Sequence, residues 1–68
     1  MNKNRNKSEI TLAKKMFVVA QEMASLATSM IMHDIDDDKA WKKHGQELLG
    51  ASNILKEWGE AITEKYEQ

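Results

Sequence analysis

The chain contains no cysteine and no proline, and among its 68 residues there are three glycines, two tryptophans, one tyrosine and one phenylalanine. Without cysteine there is no disulfide framework and no thiolate metal cluster, so nothing in the sequence calls for an oxidising compartment, and a cytoplasmic location is the expectation, the host cytoplasm if the chain is phage-encoded. Without proline, and with little glycine, nothing forbids long uninterrupted helices. No run approaches the ~18 apolar residues of a membrane span, and the opening "MNKNRNKSEI" leads into a segment broken by lysine and glutamate, unlike a signal peptide. No targeting or membrane segment is expected.

Charge of one sign is also missing. Ten basic and eleven acidic side chains leave a net charge of −1, which argues against a dedicated nucleic-acid binder held by a positive field. The distribution is uneven: Lys3, Arg5, Lys7, Lys14 and Lys15 lie early, Asp34, Asp36, Asp37 and Asp38 in the middle, and Glu57, Glu60, Glu64 and Glu67 at the end. That asymmetry is either a means of steering antiparallel pairing or plain solvated surface.

What is present is helical. Leu12, Met16, Val19, Met23, Leu26 and Met30 follow one another at spacings of four and three, a heptad seam. Beside it runs Ala13, Phe17, Ala20, Ala24, Ala27 and Ile31, whose four alanines allow a neighbouring helix to come close. Trp41, His44, Leu48, Ala51, Leu55, Trp58 and Ile62 repeat the pattern, with Ile54 and Ala61 on one flank and Leu49 on the other. Gly45, Gly50 and Gly59 each cost this second helix about 1 kcal/mol relative to alanine, and Gly50 beside Ala51 suggests close packing or a bend.

The reading is therefore all-α: an antiparallel two-helix hairpin, dimerising into a four-helix bundle. Residues 1–7 are expected as a disordered basic arm and 8–68 as one domain, with a helix over about 9–33, a turn over about 34–37 and a helix over about 38–66. Ser8 is the candidate N-cap of the first helix, and Asp36, Asp37 and Asp38 cap the second and meet its dipole. His33 falls in the last turn of the first helix, where a cation is favoured, and Ile35 tucks under the turn.

Sharper chemistry was weighed against this. Asp34, Asp36 and Asp38 have the opening spacing of a calcium-binding EF-hand loop, but Lys39 stands where the turn glycine belongs and Gly45 where the bidentate glutamate belongs. His44 and Glu47 are in the reverse order from a di-metal Glu-x-x-His pair, and Glu22 lies off the seam. Ser8, Ser25, Ser29 and Ser52 lack a glycine-flanked elbow, and no phosphate-cradling glycine pattern occurs. The expectation is no enzyme, no catalytic or metal site and no cofactor. His44 reads as an interface residue; buried at a dimer seam, it would make association sensitive to pH.

The apolar stripes are wider than a single hairpin can cover, so Leu12, Met16, Val19, Met23, Leu26, Met30, Trp41, His44, Leu48, Ala51, Leu55, Trp58 and Ile62 are expected at an oligomer or partner interface. Possible anion contacts are Lys3, Arg5, Lys7, Lys14 and Lys15. The segment "HGQELLGASNILKEWGEAI", through Leu48, Gly50, Ala51, Ile54, Trp58 and Ile62, resembles the C-terminal part of small helical accessory proteins from temperate bacteriophage early regions, over less than a third of the chain. The resemblance implies an accessory or regulatory protein that acts by binding a host or phage protein, and the wide stripes add binding to itself as a homodimer or higher oligomer. A more distant likeness is to phage hairpin proteins that sequester cyclic nucleotide immune signals. Trp58 fits that pattern only in a shifted register, and no residue carries over as a nucleotide contact. It implies an alternative, an oligomeric sponge for a small anionic signal. A nucleic-acid accessory acting through the basic arm is the third reading.

Overall fold

A computed structural model describes residues 3–33, 35 and 39–66, with side chains from Lys7 onward. Two helices account for nearly all of it: α1, Lys3–Met32, and α2, Lys39–Tyr66, packed along their lengths in an antiparallel hairpin 55 Å long and 12–13 Å across. Neither helix contains proline, and their interiors are rich in alanine, leucine, lysine, glutamate and methionine, which lose little side-chain freedom in a helix.

The start of α1 differs from the sequence expectation. The helix begins at Lys3, so Ser8 lies inside it and is not its N-cap, and residues 3–7 of the expected arm are helical; Met1 and Asn2 lie outside the described residues. Lysine, asparagine and arginine are tolerable helix residues, and with no glycine or proline before Glu9 nothing stops helical bonding from propagating backward. At the other end His33 closes α1. Its backbone N–H donates to the Ser29 carbonyl at 2.9 Å and its ring Nδ1 lies 2.7 Å from the same oxygen, so Nδ1 carries the proton and the one carbonyl accepts both bonds. Ile35 is half-buried; the proposed caps Asp36, Asp37 and Asp38, with Asp34, lie outside the described residues.

The seam between the helices is made of small residues at seven-residue spacing on both sides. Ala13, Ala20 and Ala27 are the buried residues of α1, and Gly45, Ser52 and Gly59 those of α2. A Cβ on Gly45 would come within 2.8 Å of Ile31 Cγ1 and 3.0 Å of the Ala27 carbonyl oxygen, and one on Gly59 within 2.8 Å of the Phe17 ring. These contacts fix the register. Backbones this close leave no room for a side chain, which is why glycine stands at both ends of the row and serine in the middle. The Ser52 hydroxyl, almost fully enclosed, donates back to the Leu49 carbonyl at 2.6 Å and so needs no partner across the seam.

Gly50 is the exception, and of its two expected roles close packing is corrected. Nothing lies within 4 Å of the space its Cβ would occupy, so close packing belongs to Gly45 and Gly59 instead.

An apolar face and an opposite groove

The two helices of an antiparallel hairpin are related by a local two-fold axis normal to the plane that contains them, so equal offsets from the buried rows emerge on the same side. On α1 the half-buried Met16, Met23 and Met30 follow the buried row by three residues, and the exposed Leu12, Val19 and Leu26 precede it by one. The same offsets on α2 give half-buried Leu48, Leu55 and Ile62 and exposed His44, Ala51 and Trp58. Both rows foreseen from the heptad spacing thus lie on one face of the hairpin. Along each helix the burial falls in three steps, from small and enclosed, through half-covered, to exposed.

On α1 the exposed tier is large and apolar throughout, and on α2 it holds Trp58 beside the smaller Ala51 and the polar His44. Leu12 is 50% accessible, Val19 47%, Leu26 56% and Trp58 59%. Trp41 is also exposed, and its ring meets the imidazole of His44 edge-on, with centroids 5.5 Å apart and planes at 78°. His44 in turn donates from Nδ1 to Glu47 Oε1 at 2.8 Å, one turn on along the helix. In the single chain this histidine is exposed, so the burial foreseen for it would require a neighbour.

The other face carries the offsets of one and four: Phe17, Gln21 and Ala24 from α1, Asn53 and Lys56 from α2. With Ala20 and Ser52 as its floor, these residues line an open groove of about 450 Å³. Their sharing one groove agrees with the symmetry argument that puts both heptad rows on the opposite side. Two amides and an ammonium group around an apolar floor make a surface that water can cover at little cost.

Of the proposed anion contacts, Lys7, Lys14 and Lys15 are exposed, and the side chains of Lys3 and Arg5 lie outside those described. Lys14 and Lys15 flank a shallow hollow of about 360 Å³ with Thr11, Val18 and Val19, on the outer edge of α1. The hollow itself is apolar, walled by methyl groups and lysine stems, so it brings no donors together on an anion. Among the described residues no three His, Asp or Glu side chains converge as a metal site, and no helix is long and apolar enough to cross a membrane.

The row Gly45, Ser52, Gly59 is what sequence reasoning missed. Its signal was available: three small residues at the seven-residue spacing of Ala13, Ala20 and Ala27. Comparison with protein-family models, curated proteins and solved structures gives no match.

Proposed function

We propose that this protein works by association and not by catalysis: two hairpins bury their apolar faces against each other in a four-helix bundle, and the assembly is an accessory or regulatory factor that engages a host or phage protein. The observation that carries the reading is the placement of Leu12, Val19, Leu26 and Trp58 on one face, exposed by about half or more, while the fully buried residues between the helices are alanine, glycine and serine alone. Contiguous apolar surface of this kind on a small protein marks an interaction site. Four helices around a shared core would give Met16, Met23, Met30, Leu48, Leu55 and Ile62 the enclosure that two helices leave half complete.

Sedimentation equilibrium tests the reading. The expected result is a mass twice the 7.8 kDa of the chain, with tryptophan emission shifting to the blue as the dimer forms. A chain that stays monomeric at high concentration with water-exposed tryptophans overturns it. The sponge alternative would show thermal stabilisation by small anionic signals, and the nucleic-acid alternative salt-dependent retention on DNA.

A further inference from the structure

We infer that the occupant of the apolar face is a second copy of this chain in one particular orientation: the two hairpins stack with their turns at opposite ends, about a two-fold axis that crosses the face at the level of Val19 and Leu55. The inference rests on the self-association proposed above and adds the geometry. The hairpin measures 55 by 13 Å by its backbone, so one face projects on the order of 700 Å². A stable interface buries ~800 Å² per partner, and a face of this size comes close to that area.

Register decides the orientation. Gly45 against Ala27 and Ile31, and Gly59 against Phe17, put Val19 level with Leu55 across the hairpin. A two-fold axis through that level, perpendicular to the helices and in the plane of the face, lays α1 over the second copy's α1 and α2 over its α2, each antiparallel. Val19 then meets Val19 of the second copy, and Leu12 meets its Leu26. On α2, Trp58, the more exposed of the two tryptophans, falls level with Ala51 of the second copy to within one residue, and the match recurs by symmetry. Large stands over small twice.

Charge agrees with size. Lys15 and Glu22 lie on the outer rim of this face, and among the described residues neither makes an ion pair. In the stacked pair Lys15 comes level with Glu22 of the second copy, within one residue of rise, and Glu47 comes within two residues of its Lys65. Both pairs are reciprocal, so four unlike charges meet four at the edges, where such pairs set the orientation of packed helices. Turning the second copy so that both turns share an end undoes this. Trp58 then meets Met16 and Val19 instead of alanine, Lys15 finds no acid on the facing rim, and the nearest charged group to Glu22 is Glu47.

The chain has no cysteine, so single cysteines report orientation cleanly. Val19→Cys is expected to form a disulfide-linked dimer on mild oxidation, since only residues beside the axis approach their own copies within bonding reach. Leu12→Cys mixed with Leu26→Cys should link to each other and neither to itself, which keeps the test alive if the Val19 variant is poorly folded. Lys15→Glu is expected to weaken the dimer about tenfold, and the double variant Lys15→Glu, Glu22→Lys to restore it to within about threefold. A dimer that forms normally while Val19→Cys stays unlinked and the double swap fails to rescue overturns the orientation alone. Absence of any dimer removes the self-association reading as well.

Discussion

On one side of the hairpin the rows beside the seam read Leu12, Met16, Val19, Met23, Leu26 and Met30 on α1, with His44, Leu48, Ala51, Leu55, Trp58 and Ile62 on α2. On the other side the matching rows read Lys14, Phe17, Gln21, Ala24, Thr28 and Ile31, with Gln46, Leu49, Asn53, Lys56, Glu60 and Thr63. The same two helices supply both, and the seam between them is the same for both. The second face mixes polar and apolar groups throughout, as a surface that meets water at little cost does, whereas His44 is the one polar residue in the rows of the first. The fully buried positions between the helices are alanine, glycine and serine, and the large side chains of the first face stay half-buried or exposed beside them.

Substitutions that treat the two faces alike should separate them. The largest effect is expected from Val19→Asp against Gln21→Asp: an unpaired carboxylate at the centre of the apolar face should raise the dimer dissociation constant by about a hundredfold or more, whereas the same charge beside the groove should leave it unchanged. Equal effects in sedimentation would erase the contrast. The seam comes next. Gly45→Ala pushes a methyl against the backbone oxygen of Ala27 and the Cβ of Met30, atoms that cannot turn aside, and should destabilise the fold by about 1–2 kcal/mol despite the better helix propensity. Gly59→Ala should cost less, because the Phe17 ring can rotate away. Gly50→Ala has open space and should instead raise stability by up to ~1 kcal/mol, so thermal melts should order the variants as Gly50→Ala, then Gly59→Ala, then Gly45→Ala. Ser52→Ala should be the smallest change, within about 0.5 kcal/mol, since its hydroxyl bonds only to its own helix.

Two helices joined by a short turn were legible from the absence of proline and from the two runs of three-and-four spacing, and α2 falls close to where the spacing placed it. The alanine row of α1 was legible too, because small residues beside a bulky stripe signal close approach. Its counterpart on α2 was hidden, because Gly45 and Gly59 read as propensity defects and Ser52 as a polar residue, while the eye followed Trp41, Leu48 and Leu55. Apolar periodicity reports which side of a helix avoids water. It does not say which of two neighbouring rows meets the sister helix and which waits for something else. The start of α1 was misplaced for a related reason: a serine before an acidic residue looks like a cap, but a cap needs a reason for the helix to stop, and "NKNRNK" gives none.

A seam of alanine, glycine and a serine bonded to its own helix contains almost no rotatable side chains. Closing the hairpin therefore freezes backbone but very little rotamer freedom. The methionines and leucines of the neighbouring rows, with several torsions each, stay only half confined at that stage. If the proposed association holds, the rest of their ordering comes at docking, and a titration of association should then show its own heat-capacity drop and loss of side-chain motion beyond that of folding one chain.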